Sequence, residues 1–438
     1  MHLKKERKHT TEVKEGEHAL VAGWVREIRD FGKLKFVVLA DREGELQITA
    51  KKGEVQEEVL KLIDELGKEW VIAVEGNVRK NEKASRSIEM VPEKIKVLAK
   101  SESILPLEVR AKAKAELSTR LDNRFLDLRK QEVISIFKIR SAISNAIRGF
   151  FHANGFIEIH TPKIVASATE SGANVFPILY FEKEAFLAQS PQFYKQAAMA
   201  AGFEKVFEIA PVFRAEKHHT IRHLTEYTSV DAEISFINRY EDVMDVVEKL
   251  VVHIFKAVKE NCQKELEILG VEIAIPKTPF PRITMREAYK LLEEAGKEVE
   301  YGEDLDTESE KLFGKIVKEK FGNEFVFLTE FPWKVRPFYT YRKEDEPEWT
   351  CSFDLLYKGM EIVTGGQREH RYEVLLQQCK EKGINPDVIE FYLKMFKYGV
   401  PPHGGFGMGL DRVVMLMLNL SNIREAALFP RDPERLEP

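Results

Sequence analysis

Gly404-Gly405-Phe406-Gly407-Met408-Gly409-Leu410-Asp411-Arg412 lies close to the C-terminal end of a 438-residue chain. Four glycines in six positions let the backbone approach a flat or anionic group, because no Cβ stands in the way. The apolar run Val413, Val414, Met415, Leu416, Met417, Leu418 follows and predicts a buried helix with Arg412 in its first turn. A helix start offers free N–H groups to an anion, and Arg412 adds a planar, permanently charged fork for a phosphate or a plane for a base. A dinucleotide-binding turn is excluded: the spacing is G-x-G-x-G-L-D-R, and too little chain remains for a βαβ unit of ~30 residues. What remains is an anion-facing loop or a glycine-rich turn leading into a core helix.

Upstream, a strand over 206–212 ends in Phe213-Arg214-Ala215-Glu216. A cationic loop containing Lys217, His218, His219, Arg222 and His223 precedes a return strand over 224–236. This pattern predicts an antiparallel hairpin. A strand pair over 353–364 carries Asp354 and Glu361, and Gly365-Gly366-Gln367-Arg368-Glu369 and a helix over 372–382 follow it. The spacing of Ile136, Ile139, Ile143, Ile147, Phe150 and Phe151 predicts a long amphipathic helix. After it, Phe156-Ile157-Glu158-Ile159-His160-Thr161-Pro162 reads as a strand whose proline belongs at a sheet edge. Residues 240–345 read as an inserted helical lobe. Antiparallel strands beside long helices predict an α+β fold.

The first hundred residues differ. Five short strands with one helix between the third and fourth give the order of an OB-fold barrel. Such barrels hold single-stranded nucleic acid by stacking on aromatics and by polar contacts to base edges, which makes Phe36, Gln47 and Arg29 candidates. The expected organisation is an OB-fold domain over 1–103, a linker over 104–131, and the α+β domain over 132–438. The formal net charge of −5 means that any nucleic-acid surface is local, not a property of the whole chain. Cys262, Cys351 and Cys379 show no metal spacing and read as reduced core thiols. No stretch approaches the ~18 apolar residues of a membrane span, so the expectation is a cytoplasmic protein with no membrane partner.

Arg214, Arg222 and Arg412 aimed at one place suggest a polyphosphate. Asp354 and Glu361 suggest Mg²⁺, which takes few carboxylates and shares its shell with phosphate. There is no Walker lysine loop and no kinase H-R-D motif, so phosphoryl chemistry needs another scaffold. Of the histidines near these segments, His218, His219, His370 and His403 read as solvated or structural. His223 directly follows Arg222 in the cationic loop.

Together these segments resemble the class II aminoacyl-tRNA synthetases. Phe213-Arg214-Ala215-Glu216 with Arg222-His223-Leu224 resembles motif 2, the 405–412 stretch resembles motif 3, and the helix and strand ending at Pro162 resemble motif 1. Gln189-Ser190-Pro191-Gln192-Phe193-Tyr194-Lys195 and Gly365-Gly366-Gln367-Arg368 are similar to aspartyl-tRNA synthetases of the archaeal/eukaryotic type, in subclass IIb. The resemblance implies a six- or seven-stranded antiparallel sheet flanked by helices, and a homodimer built around Pro162. It implies ATP as substrate, Mg²⁺ on Glu361, Asp354 and Thr364, and L-aspartate and tRNA(Asp) as partners. Arg214 then holds the α-phosphate, Glu216 reads the adenine amino group, and Arg222 and His223 hold the outer phosphates. Arg412 stacks on adenine with Tyr227 on its other face. Ala215, Leu224, Gly409, Leu410 and Asp411 complete the nucleotide site. Lys195 and Arg368 face the aspartate side chain, Glu170, Ser190, Gln192 and Asp231 its ammonium group, and Phe193, Tyr194, Arg214 and Thr364 stand beside it. In the barrel, Phe36 stacks on an anticodon base, Gln47 reads one and Arg29 lies near phosphates.

Two cations in the amino-acid site favour aspartate over asparagine, since a buried cation without its counter-ion costs on the order of 3–5 kcal/mol. Thr364 departs from the serine more usual in this type. Arg26 and Ser85 sit where enzymes strict for tRNA(Asp) differ from those that also charge tRNA(Asn), and they match neither pattern. The competing expectations are an asparaginyl-tRNA synthetase, an ATP-dependent amino-acid amide ligase on the same fold, and a non-catalytic OB-type nucleic-acid binder.

Overall fold

The computed structural model describes residues 6–110, 115–166, 174–216 and 220–438. Contacts divide the chain into two units, Met1–Ile134 and Ser135–Pro438. In the first, strands β1 (His18–Asp30), β2 (Leu34–Ala40), β3 (Glu45–Lys51), β4 (Val71–Lys80) and β5 (Ile88–Ala99) are joined by one helix, α1 (Glu57–Glu65), between β3 and β4. β1, β2 and β3 form a meander, β3 pairs in parallel with β5, β5 with β4, and β4 returns to β1. The sheet is therefore closed, the OB-fold barrel that the strand order predicts. Its interior is filled by alternating residues such as Leu39, Ile48, Ile72 and Val74, capped by Val59, Leu60 and Ile63 of α1.

The stretch expected as a linker is built instead of two short helices, Leu117–Asp122 and Arg124–Asp127. Its alternating charges are internal. Arg124 is 1% exposed and donates to the fully buried Asp127 at 2.8 Å, and Arg120 and Lys130 converge on the same carboxylate. A buried carboxylate persists only when it is paired in this way.

The second unit is organised on an eight-stranded sheet. The strands are β6 (Ile157–Glu158), β7 (Lys205–Phe213), β8 (Glu226–Ser235), β9 (Arg282–Thr284), β10 (Phe325–Thr329), β11 (Ser352–Tyr357), β12 (Met360–Arg368) and β13 (His403–Gly409). Their spatial order is β9-β10-β11-β12-β13-β8-β7-β6. The outermost pairs, β9–β10 and β6–β7, are parallel and the inner ones antiparallel. Helices α2 (Gln131–Ala153) and α4 (Glu241–Asn261) bury Ile139, Ile143, Ile147, Val247, Leu250 and Ile254 with Val230, Phe406 and Met408 of the sheet. Between β6 and β7 lie a small sheet, Ile164–Val165, Pro177–Tyr180 and Lys183–Leu187, and helix α3 (Gln192–Ala200). Among the described residues no helix is long and apolar enough to cross a membrane.

Three expectations are corrected. The glycine stretch is not a turn: it is β13, at the middle of the sheet between β12 and β8. A Cβ on Gly405 would lie 2.0 Å from Glu233 Oε2 and 2.2 Å from the Ala232 carbonyl oxygen, and one on Gly365 of β12 would lie 2.6 Å from the Phe353 ring. The glycines let neighbouring side chains lie flat across the strand, which is a packing requirement and not one of backbone angle. Residues 240–345 are not an inserted lobe throughout. They supply β9 and β10 to the sheet and α4 to its core, and only α5 (Met285–Glu294) and α6 (Thr307–Phe321) form a separate cluster around Met285, Phe313 and Leu328. The strand expected over 156–162 shrinks to Ile157–Glu158, because Thr161 turns its N–H and hydroxyl to Glu208 at 2.7 and 2.8 Å. Pro162 lies beyond the paired residues.

Gly405→Ala is expected to lower stability by about 3 kcal/mol through overpacking against a main-chain oxygen, seen as a lower urea midpoint with unchanged slope.

Candidate functional site

A cavity of about 320 Å³ opens where α3, the β7–β8 hairpin, β12, and β13 with the following helix α7 (Leu410–Met417) meet. Ser190, Gln192, Lys195, Asp231 and Arg368 line one end, and Arg214, Glu216, Arg222, His223, Glu361 and Arg412 line the other. Segments more than 200 residues apart in sequence thus meet in one polar cavity.

Helical period decides which α3 residues arrive there. Gln192 and Lys195, three apart, face the cavity. Phe193 and Tyr194 do not: Phe193 is buried at 1% exposure and stacks on Tyr392 at 4.1 Å, and Tyr194 packs beside Phe391. Their expected contact with aspartate is corrected. Lys195 Nζ donates to Asp231 Oδ1 at 3.0 Å and to the Phe406 carbonyl at 3.0 Å, and it lies 3.3 Å from Glu233 Oε2. Arg368 Nε donates to Glu233 Oε1 at 2.9 Å. Burial opposes ionisation of Glu233, yet Arg368 and Lys195 hold its pKa below the ordinary carboxylate value. Glu233 was not among the residues expected from sequence. Its signal was the strand period of two, which puts it on the same face as Asp231. Ser229 completes that face by donating to Asp231 Oδ2 at 2.5 Å. Glu170, His218 and His219 lie outside the described residues.

At the other end, the Arg214 guanidinium lies over the Tyr227 ring at 5.7 Å. His223 Nδ1 meets the Thr220 hydroxyl at 2.7 Å. Burial, then the cations of Arg412 and Arg222, push its pKa down to about 4, so it is neutral at pH 7. Arg222 Nη1 donates to Glu310 Oε2 of α6 at 2.5 Å, a contact that no sequence signal announced. Arg412 Nη1 donates to the Glu361 carbonyl at 3.0 Å and stands 3.4 Å from Glu361 Oε1. The Ala215 N–H is bonded to the Asn174 carbonyl, and Leu224 is buried at the cavity wall. Gly409 lines the cavity where β13 gives way to α7. Leu410, expected beside the nucleotide, is in the core instead. Asp411 does line the cavity; 2% exposed, it is held there by accepting from Arg140 Nη1 at 2.6 Å and the Thr228 N–H at 2.9 Å.

For a metal, the donors are oxygens only, which suits Mg²⁺ sharing its shell with phosphate. Glu361 and Thr364 line the cavity and fit such an ion. Asp354 does not belong with them, which corrects its expected role. It is not among the cavity-lining residues, and its Oδ1 accepts from Arg336 Nη2 at 2.7 Å. Arg336 also donates to Thr364 Oγ1 at 3.1 Å and stacks on Phe331 at 3.6 Å. Burial, reinforced by Glu361 and Asp304 and opposed by Arg336, pushes the Asp354 carboxyl up to about 7. Arg336 lines the cavity as well and was not foreseen.

In the OB barrel, Arg29 and Phe36 are cross-strand partners, as are Phe36 and Thr49, and Gln47 lies two residues from Thr49 on β3. These residues share one face of the barrel. Phe31, 69% exposed, packs edge-on to Phe36 at 6.1 Å. Gln47 Nε2 is oriented by Glu89 at 3.2 Å, and Arg29 pairs with Glu27 at 2.5 Å. Arg26 is different. It sits at a β-bulge, 7% exposed, with its guanidinium on Glu69 and the Arg129 carbonyl, so it is an interior ion pair and not an exposed reader of bases. Ser85 is exposed in the turn between β4 and β5.

Residues 116–433 match the family described as tRNA synthetases class II (D, K and N), and 19–98 match an OB-fold nucleic acid binding domain. The chain is 56% identical to an aspartate–tRNA(Asp) ligase of Pyrococcus furiosus over 428 residues, 98% of each chain. It is 53% identical to an aspartate–tRNA(Asp/Asn) ligase of Methanopyrus kandleri, again over 98% of each. Among solved structures, an asparaginyl-tRNA synthetase of Pyrococcus horikoshii complexed with asparaginyl-adenylate superposes with a TM-score of 0.92 at 34% identity, covering 99% of this chain and 100% of that one. A putative aspartyl-tRNA synthetase of Leishmania major superposes at 0.89, also at 34% identity, covering 99% and 96%. With matches of this length and identity, the chain belongs to the class II aminoacyl-tRNA synthetases and, within them, to the aspartate–tRNA ligases.

Proposed function

We propose that this protein activates L-aspartate with ATP and transfers it to tRNA(Asp), working as a homodimer. The observation that carries the reading is the two-ended cavity. Lys195, Asp231, Glu233 and Arg368 form a compact charged floor at one end, and Arg214, Arg222, His223 and Arg412 gather at the other, a division that suits an amino acid at one end and a polyphosphate at the other. No side-chain base is needed for the first step, since the α-carboxylate of aspartate is already a nucleophile. Its oxygen attacks the α-phosphorus, the bond to the bridging oxygen breaks, and pyrophosphate leaves. Arg214 offsets charge building on the α-phosphate oxygens, the kind of preorganised stabilisation that lowers such barriers most. Glu361 and Thr364 would hold Mg²⁺, which supplies charge neutralisation and orientation to the phosphates. In the second step a hydroxyl of the terminal ribose of tRNA attacks the activated carbonyl, and AMP leaves.

The four charged groups of the floor cancel, which refines the basis for choosing aspartate. Lys195 and Arg368 are not bare cations awaiting a carboxylate. Each is shared with a protein carboxylate, so an entering side-chain carboxylate must compete for donors already in place. Asparagine would bring an amide oxygen, a weaker acceptor than a carboxylate for the Lys195 and Arg368 donors, which supports aspartate over the asparagine reading suggested by the Pyrococcus horikoshii likeness. The barrel face with Arg29, Phe36 and Gln47 supports anticodon stacking and readout.

Arg214→Ala is expected to reduce aspartate-dependent pyrophosphate exchange by at least about 100-fold, while tRNA binding measured by filter retention stays within about twofold; equal loss of both contradicts the assigned role. Charging assays with ATP, Mg²⁺ and labelled aspartate or asparagine on tRNA(Asp) and tRNA(Asn) transcripts test the function itself. Aspartate on tRNA(Asp) is the expected product, and its appearance on tRNA(Asn) too marks a relaxed enzyme. Asparagine as the sole substrate charged would refute the reading of the floor.

A further inference from the structure

Beneath the amino-acid end lies a chain of buried polar groups to which the reaction assigns no role. His403, fully buried at the start of β13, has Nδ1 2.8 Å from the Pro401 carbonyl oxygen. A carbonyl can only accept, so Nδ1 carries the proton. Burial pushes the pKa of His403 down to about 4, so the ring is neutral at pH 7 and Nε2 is left as an acceptor. Gln196, also fully buried, places its Nε2 2.8 Å from that nitrogen and must donate to it. Gln196 Oε1 is then turned the other way, where it accepts from Tyr392 Oη at 3.0 Å and from Gln192 Nε2 at 2.9 Å. Gln192 lines the cavity. With its nitrogen held by Gln196, its carbonyl oxygen is the end left for a ligand.

We propose that His403 and Gln196 are positioning residues that fix the polarity of the Gln192 amide, so that an oxygen acceptor, not an N–H donor, faces the ammonium group of the amino-acid substrate. An amide has nearly the same shape either way round, and only its hydrogen-bond partners choose the orientation. Here the choice is made three links away, at a main-chain carbonyl that cannot change sign. Reversal at any link would set an N–H against the ammonium group and leave unpaired donors in a buried site. The inference rests on aspartate being the substrate bound at this end.

Two measurements test it. In ¹⁵N-imidazole-labelled wild-type protein at pH 7.5, one of the 11 histidines, identified by its loss in His403→Gln, is expected as the neutral Nδ1–H tautomer with a bare Nε2. A proton on Nε2 overturns the proposal. In aspartate-dependent pyrophosphate exchange, Gln196→Met is expected to raise KM for aspartate about tenfold or more, with kcat within about threefold. Gln196→Glu still accepts from Gln192 and Tyr392 while His403 takes up a proton to donate to it, so KM should return to within about threefold of wild type. Equal KM increases in the two variants would also overturn it. Absence of exchange in the wild-type protein would count against the function proposed above, and the tautomer measurement would still decide whether the relay exists.

Discussion

The buried carboxylate of Glu233 is the interaction on which the catalytic unit turns. It is fully buried, it joins Lys195 to Arg368, and its Oε2 occupies the space where a Cβ of residue 405 would stand. An uncompensated charge at that depth would be prohibitive, so Lys195, Arg368 and Glu233 must be placed together or not at all. That requirement ties α3, β8, β12 and β13 to one another. It also explains the glycines of β13, which keep the strand thin enough for the carboxylate to lie across it.

The same rule runs through the rest of the cavity. Arg222 lies on Glu310, Arg412 beside Glu361, and Arg336 on Asp354. Substrates entering such a site do not meet naked charge. They exchange one ionic partner for another, and the desolvation of each arginine has already been met in the folded protein. This is preorganisation in a strict sense: donors are aimed before the ligand arrives, so little reorganisation accompanies reaction. It also locates selectivity in the competition between protein and substrate carboxylates for the same donors.

In the barrel unit the balance is different. The chain as a whole is acidic, so nucleic-acid contact must come from a local arrangement, and Arg29, Phe36, Gln47 and the exposed Phe31 supply a small one. Its polar members are oriented by neighbours, Gln47 by Glu89 and Arg29 by Glu27. Arg26 shows the opposite use of an arginine, as an interior clamp on Glu69.

Several features were legible from sequence because they depend on near neighbours in the chain. The 3.6-residue stripe of Ile139, Ile143 and Ile147 gave α2, the alternation and turn residues of the first hundred positions gave the barrel, and the motif segments gave Arg214, Arg222, His223, Glu361 and Arg412 at one cavity. Other features depend on which strands become neighbours, and only the tertiary structure decided them. The glycine run looked like a loop because glycine disfavours strands locally; it is a central strand in which Gly405 leaves the space that the Glu233 carboxylate and the Ala232 carbonyl fill. Residues 282–284 and 325–329 looked like parts of a helical lobe until long-range pairing drew them into the sheet. Asp354 had the spacing of a metal ligand, yet Arg336, 18 residues upstream, reached it first. Phe193 and Tyr194 carried the motif but pointed away, since a helix turns them to the opposite side from Lys195. Local periodicity determined the elements and the chemistry available; burial, which obliges every charge to find a partner, decided which of those groups face the substrate.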